Sequence, residues 1–222
     1  MSYAAGPALA LFATAAPGRT AEEIAAALAM PGARIGTRVG ADLPKRDPDT
    51  GEPLPLLPCP FAAILLAHGP MAETIPVLRA ALDRAAGMID LARSALLIGT
   101  EHVVKPGDGA ILVTMLTRRR ADFTPAAYRK RWLGEHARFG LRIDAAGYRQ
   151  LHADHAPCPD LPPTGRFDGA GMVFFRNAAQ MAAARSAPEV AQDATRDEMR
   201  FIDHAGSMLA MFAFSPSQPS SP

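Results

Sequence analysis

The stretch that decides the fold is residues 111–136, ILVTMLTRRRADFTPAAYRKRWLGEH. Its first seven residues are typical of a buried strand, and Thr124 with the proline after it predicts the start of a helix. In that helix Tyr128, Trp132 and His136 are spaced four residues apart. At 3.6 residues per turn these side chains lie nearly in line. We interpret them as one wall of a small-molecule pocket.

An order of strand, helix, strand, strand, helix, strand is predicted twice along the 222-residue chain. A threonine in an N-cap position opens the first helix of each copy, Thr20 in the first and Thr124 in the second. We assign the first copy to residues 1–105 and the second to residues 106–222, in which Ser215–Pro222 is expected to be a disordered tail. Each copy has the order of a ferredoxin-like βαββαβ unit.

The expected fold class is therefore α+β. A ferredoxin-like unit covers one face of its sheet with helices and leaves the other face apolar, so two units in one chain should pack sheet on sheet into an intrachain α+β barrel. The predicted strands are Ala8–Ala15, Arg34–Ala41, Phe61–Ala67, Ser94–Val103, Ile111–Thr117, Tyr148–Asp154, Gly169–Phe175 and Met208–Phe214. The predicted helices run from Thr20 to Ala29, from Thr74 (with Pro76 in the first turn) to Leu91, from Thr124 to about Phe139, and from Asn177 past Pro188.

Composition excludes several classes of partner. The chain is 49% hydrophobic and carries a formal charge of +1, so it has material for a packed core and no charge excess that favours nucleic acid or an anionic membrane. Its two cysteines form no C-x-x-C motif, which favours a reducing cytoplasm. The apolar run Pro7–Ala16 has no basic residue before it, so we interpret it as a strand rather than a signal peptide.

Histidines are the best candidates for acid–base chemistry. One face of the predicted strand 148–154 carries Tyr148, Gln150, His152 and Asp154. We expect the opposite, more apolar face to lie against the helices, which turns the polar face either into the barrel or into water. Inside a barrel, His152 oriented by Asp154 would be a general base. His136 lies near a helix end, where it could serve catalysis or simply interact favourably with the helix C-terminus.

Cofactor motifs are missing from the sequence. There is no glycine-rich phosphate loop between a strand and a helix and no Gly-x-Ser-x-Gly elbow. His152 and His155 alternate to opposite faces of a strand, so they are a poor metal pair. We therefore expect no metal and no cofactor. His68 and His102 end predicted strands of the first half and are further candidates for substrate contact, although each could equally be structural.

The second half resembles the EthD domain family of the dimeric α+β barrel superfamily. The resemblance rests on the strand and helix of residues 111–137, on Gly147-Tyr-Arg-Gln-Leu-His152, on Phe167-Asp-Gly169 and on Arg200-Phe-Ile-Asp203, and it covers about residues 108–214. It implies a cofactor-free protein, as in lyases and cyclases of polyketide-like aromatics. The wider superfamily also holds cofactor-independent monooxygenases and haem-related enzymes. The helix after Thr20 has neither the tryptophan nor the histidine of this pattern.

The resemblance carries over His136 and His152 as catalytic residues and Trp132 and Tyr128 as pocket walls. We hypothesise a lyase or isomerase that eliminates water, carbon dioxide or an aldehyde from a small aromatic or polyketide-like compound, or cyclises it. The residues expected to contact that substrate are Tyr128, Trp132, Tyr148, Gln150, His68 and His102. The alternatives are a cofactor-independent monooxygenase and a non-enzymatic ligand-binding barrel. Outer helices or edge strands could still pair two chains into a homodimer.

Overall fold

Apolar residues dominate the eight strands in the described part of the chain. A computed structural model describes residues 3–41, 44–156, 158–186 and 188–214. The strands are β1 Ala4–Thr14, β2 Arg34–Arg38, β3 Phe61–His68, β4 Ala95–Lys105, β5 Ile111–Thr117, β6 Gly147–Ala153, β7 Gly169–Phe175 and β8 Met208–Phe214. They close into one antiparallel barrel in the order β1-β3-β2-β8-β5-β7-β6-β4. The α+β class is confirmed, and the closed barrel leaves no free strand edge among the described residues.

The helices lie outside the barrel. They are α1 Ala21–Ala27, α2 Met71–Arg84, α3 Pro125–Arg131, a π-helical turn Trp132–His136, α4 Ala137–Arg142, α5 Ala178–Arg185 and α6 Pro188–Glu198. Within the described part of the chain, no helix has the length and apolar character needed to cross a membrane.

The helix starts follow the predicted caps, with one exception. Thr20 forms a capping box with Glu23, and the Thr124 hydroxyl accepts a hydrogen bond from the amide of Ala127. Helix α2 instead begins at Met71. The hydroxyl of Thr74 donates to the carbonyl of Pro70 from inside the helix at 3.0 Å, a back-bond and not a cap. Pro76 thus lies in the second turn. The predicted tail, Ser215–Pro222, lies outside the described residues.

The barrel interior is filled by apolar side chains and is not a chamber. Phenylalanines occupy much of it, joined by leucines, alanines and methionines from all of the longer strands: Phe12, Phe61, Phe167, Phe174, Phe212, Leu97, Leu112, Leu116, Leu151, Ala153, Met172 and Met208. A barrel of eight strands is narrow enough for its own side chains to fill. The site expected inside the barrel must therefore be sought on the outer face, beneath the helices.

One long connection of the first half reaches across the second half. We call residues 44–60 the strap. It folds back on itself through a bridge between Arg46 and Pro53, and the amide of Leu57 donates to the carbonyl of Ser207 at 2.9 Å. Arg196 of α6 donates to the carboxylate of Asp49 at 2.7 Å. The strap thus joins the first half to β8 and α6.

Candidate active site

A cavity of about 490 Å³ lies between the outer face of β5, β7 and β8 and the helices of the second half. Its walls are mostly apolar and include Val113, Met115, Trp132, Phe139, Ile143, Val173, Phe175, Met181, Val190, Ile202 and Leu209. A few polar groups interrupt them, among which are Lys45, Thr117, His136, Tyr148, Thr195 and Glu198. An apolar hollow with few polar groups is the usual form of a small-molecule site.

Strand alternation and small residues create this space. In β5 the side chains of Leu112 and Leu116 face the barrel interior, so Val113, Met115 and Thr117 face the helices. Opposite them, α5 and α6 contribute mainly small side chains: Ala183, Ala184, Ala191 and Ala194. Because these side chains are short, the helices do not fill the gap between themselves and the sheet.

The helix that carries the predicted stripe places Trp132 and His136 at the cavity. The turn from Trp132 to His136 is π-helical, and the amide of Ala137 donates to the carbonyl of Trp132. Such turns occur often at functional sites. Trp132 and His136 are both buried and both line the cavity. Tyr128 lies deeper, where its hydroxyl donates to Thr117 Oγ1 at 2.6 Å.

His136 forms a dyad with a carboxylate from α6. Its Nδ1 lies 3.0 Å from Oδ2 of Asp197, whose other oxygen contacts Arg131. Burial acts to raise the pKa of Asp197, but the hydrogen bonds from His136 and Arg131 lower it below its usual value. An ionised carboxylate only accepts hydrogen bonds, so Nδ1 of His136 is the donor in this pair.

A second carboxylate joins this dyad to the strap. Glu198 Oε1 lies 3.7 Å from Nε2 of His136, Oε2 contacts Nζ of Lys45, and Nε2 of His204 lies 3.5 Å from Oε2. Burial acts to raise the pKa of Glu198, but Lys45, His204 and His136 together lower it to about 2. At neutral pH both carboxylates are ionised, and the cations of Arg131 and Lys45 balance them.

His152 lies outside this cavity. It is on the outer face of β6, where its ring stacks on Trp132 with centroids 4.8 Å apart and planes 5° from parallel. Its Nε2 donates to Oε1 of Gln150 at 3.0 Å. Burial, then His102 and Arg129, lower the pKa of His152 to about 3. The ring is therefore neutral at physiological pH.

The arrangement expected around His152 is corrected in two respects. Leu151 and Ala153 face the barrel interior, so the polar face of β6 lies under the helix and not in the barrel. This orientation is stable because the helix accepts a hydrogen bond from a polar side chain of that face: Gln150 donates to the carbonyl of Trp132 at 3.2 Å. Asp154 does not orient His152, since its carboxylate pairs with Arg129 at 3.0 Å on the surface.

Of the six expected substrate contacts, Trp132 and Tyr148 line the cavity. The Tyr148 hydroxyl accepts a hydrogen bond from Gln150 at 2.8 Å, and burial raises the pKa of this phenol. Tyr128 and Gln150 are buried behind the cavity wall.

The two first-half histidines are also outside the cavity wall. His68 pairs with Glu101 at 2.9 Å near one end of the barrel. His102 packs against His152 with ring centroids 4.7 Å apart. Burial lowers the pKa of His102 although the charge of Glu101 acts in the opposite direction.

Sequence reasoning missed Lys45, Asp197 and Glu198. The adjacent carboxylates at the end of α6 were a usable signal, because a helix that buries two acids must bring them to cations or to a site. Lys45 has no local signal. It belongs to a proline-rich connection that looks like an ordinary surface loop.

Comparisons with known proteins agree with this architecture. Residues 120–205 match the family model of the EthD domain. No curated protein matches the sequence significantly. Among solved structures, the chain is similar to a candidate chlorite dismutase, with a TM-score of 0.51, 10% identity, and coverage of 97% of this chain and 96% of that one.

Two further solved structures show the same fold. A mutant chlorite dismutase from Candidatus Nitrospira defluvii has a TM-score of 0.50 at 10% identity, with 97% of this chain and 93% of that one covered. A heme-binding protein from Thermus thermophilus has a TM-score of 0.50 at 11% identity, with 96% and 92% covered. At such identities the likeness concerns the fold. Residues 120–205 of this chain, which hold the His136–Asp197 dyad, therefore match the EthD domain model and belong to a closed α+β barrel whose fold is similar to that of these three structures.

Proposed function

We propose that the protein is a cofactor-independent lyase or isomerase of a small aromatic or polyketide-like compound. The observation that carries this proposal is the His136–Asp197 dyad, whose imidazole lines a mostly apolar cavity large enough for such a compound. The residue in the role of base is thus His136 and not His152.

Proton transfer begins at Nε2 of His136, which takes a proton from an acidic C–H or O–H of the substrate. Asp197 holds the imidazole in the required tautomer and stabilises the imidazolium that forms, as in other histidine–carboxylate pairs. The same proton then returns to a leaving group or to another substrate atom. Loss of water, carbon dioxide or an aldehyde, or ring closure, completes the reaction. General acid–base catalysis of this kind contributes about 10²–10⁴-fold.

The reaction creates a positive charge on His136 and a negative charge on the substrate, and other groups of the site can stabilise them. The ammonium of Lys45 can face negative charge that develops on a substrate oxygen. The mostly apolar walls make the surroundings of these charges less polar than water, which strengthens the charge interactions. His152 is assigned a supporting role, because its stack fixes the ring of Trp132 in the cavity wall.

A single site agrees with a chain made of two fused ferredoxin-like units, residues 1–105 and 106–222. We propose that only the second unit is catalytic. In the first, α1 and α2 pack directly on the sheet through Ile24, Leu28, Leu78 and Leu82, and α1 contains no histidine.

Haem does not fit this cavity, although three solved structures of the same fold carry names that involve chlorite dismutation or heme binding. A histidine that holds haem iron does so through an imidazole nitrogen free for coordination. Among the described residues His136 is the one histidine in the cavity wall, and its nitrogens face Asp197 and, at 3.7 Å, Glu198. Lys45 contacts Glu198, so this carboxylate and not open space faces the second nitrogen of His136, the atom that would have to hold the iron.

Deuterium exchange tests the proposal without knowledge of the natural substrate. Benzoylacetone carries acidic C–H groups beside two carbonyls, and NMR follows their exchange in D2O. We expect His136→Gln to lower the enzyme-dependent exchange rate by about 10²–10⁴-fold and Asp197→Asn to lower it less. His155→Gln is the control, because His155 bonds to the carbonyl of Phe167 away from the cavity.

A His136→Gln variant with the same enzyme-dependent exchange rate as the wild-type protein would exclude His136 as the base. An oxygen electrode distinguishes the alternative reaction: oxygen uptake in step with substrate loss would identify a monooxygenase in place of a lyase.

A further inference from the structure

A second hollow adjoins the cavity on the side of the strap. It has a volume of about 270 Å³ and is lined by Pro53, Leu54, Leu56, Leu57 and Pro58 of the strap, together with Pro44, Lys45 and Leu209. These last three residues also line the main cavity. The two hollows therefore lie next to each other at Lys45, and each is mostly apolar on its own side.

Lys45 places a hydrogen-bond donor at this junction. Its ammonium contacts the carboxylate of Glu198 and lies 3.8 Å from the sulfur of Met115. An ammonium group has three donors, so the Glu198 contact leaves donors for a ligand oxygen. Since His136 lies on the other side of the same carboxylate, an oxygen bound by Lys45 would be near the base.

The wall of the second hollow is held by backbone hydrogen bonds. The amide of Leu54 donates to the carbonyl of Lys45 at 2.8 Å, and that of Leu57 donates to the carbonyl of Ser207 at 2.9 Å. The side chain of Leu57, 36% exposed, is not needed for these bonds. An exposed leucine on a fixed wall is available to a ligand, and its replacement should leave the strap in place.

We infer that the two hollows form one binding site for a compound with two apolar arms on either side of an acidic, oxygen-bearing centre, such as a β-dicarbonyl or a phenol. One arm lies in the main cavity and the other under the strap, and Lys45 donates to the central oxygen. The inference rests on the proposed function for the chemistry at that centre, but the two-armed shape rests on the hollows alone.

Two probes that differ by one arm test this inference. Dibenzoylmethane has an aromatic ring on each side of a β-dicarbonyl, and benzoylacetone has one. Binding is followed by quenching of Trp132, the one tryptophan in the chain. Because burial of a second ring is worth at least about a tenfold gain in affinity, dibenzoylmethane should bind the wild-type protein at least about tenfold more tightly.

Leu57→Glu should reduce this ratio to near unity and leave benzoylacetone binding unchanged. Leu91→Glu is the matched control, because Leu91 is a similarly exposed leucine, at 42%, outside both hollows. Lys45→Met should weaken both probes and preserve their ratio. Equal affinities in the wild type, no binding of either probe, or an unchanged ratio in Leu57→Glu would each overturn the inference. In His136→Gln we expect the ratio of the two affinities to be unchanged, whatever the exchange rate of this variant. That result would separate the two-armed binding site from the proposed reaction.

Discussion

The two histidines proposed from the sequence as catalytic, His136 and His152, have different hydrogen-bond partners, and we propose opposite roles for them on that ground. His136 donates to an ionised carboxylate, which stabilises a charge on the ring when it takes a proton. His152 donates to a neutral amide and stacks between Trp132 and His102. Nothing in that stack compensates a positive charge. Burial with a hydrogen bond is thus insufficient for a base, and the ionisation state of the partner decides the role.

His152 should make folding sensitive to acid. Its pKa is about 3 in the folded protein, against 6.5 for an unperturbed histidine. The stabilisation is fully present above pH 6.5 and decreases as the pH falls towards 3, because the unfolded chain binds the proton first. We expect His152 to contribute a loss of roughly 1.4 kcal/mol per pH unit in that window.

Urea unfolding at pH 7, 5 and 4 measures this effect. His152→Phe keeps an aromatic ring on Trp132 and removes the titration, so its unfolding free energy should fall less steeply with acid than that of the wild-type protein. Equal slopes for the two proteins would show that His152 does not titrate in this way.

At the scale of elements, the helix from α3 to α4 is shaped by its contact with β6. Its π-helical turn adds one residue to a helical turn between Trp132 and His136. Farther on, Gly140 lies so close to Tyr148 that a Cβ atom there would overlap the tyrosine ring. Close approach of backbone to an aromatic ring requires glycine. The helix can therefore cover the polar face of β6 without a gap.

Alanine substitutions at two glycines of this segment should have opposite effects. Gly140→Ala should displace Tyr148 and lower the unfolding free energy by about 1–3 kcal/mol. Gly134→Ala is the matched control: a Cβ at Gly134 meets nothing within 4 Å, so it should raise stability by roughly 0.5–1 kcal/mol. Thermal and urea unfolding give both values. A Gly140→Ala variant as stable as Gly134→Ala would contradict the close contact.

At the scale of the whole molecule, the two halves complete one another. They meet in two antiparallel seams, a short one of three residue pairs between β2 and β8 and a longer one between β4 and β6. The barrel interior lies between them, and the strap adds Lys45 to the cavity of the other half. Neither the core nor the site is complete in a single half.

Separate halves should therefore fail to fold alone. Residues 1–105 and residues 106–222, expressed individually, would each expose the apolar inner face of a sheet, and we expect them to aggregate or to bind a hydrophobic dye. Co-expression should give a soluble one-to-one complex, measured by size-exclusion chromatography and Trp132 fluorescence. If residues 106–222 alone form a stable monomer with native fluorescence, the sheet-on-sheet core is not required.

Local rules predicted much of the fold. The bounds of β5, β7 and β8 follow from apolar runs between turn residues, and α1 and α3 begin at Thr20 and Thr124 because their hydroxyls cap exposed amides. The stripe of Tyr128, Trp132 and His136 predicted a pocket wall, and of these side chains Trp132 and His136 line the cavity. The hydrogen-bond partner of His136 could not be predicted, since no local rule joins this histidine to Asp197, 61 residues away.

The sequence by itself determined the order of strands and helices, that the class is α+β, and that Trp132 and His136 share the inner side of one helix. These properties depend on capping, on residue spacing and on neighbours within a few positions. Tertiary structure alone decided which face of β6 enters the barrel, and that Lys45, Asp197 and Glu198 surround His136. Alternation gives a strand two faces but does not decide which of them enters the barrel. Only closure of the barrel brings the distant carboxylates to the imidazole of His136 and the ammonium group to one of those carboxylates.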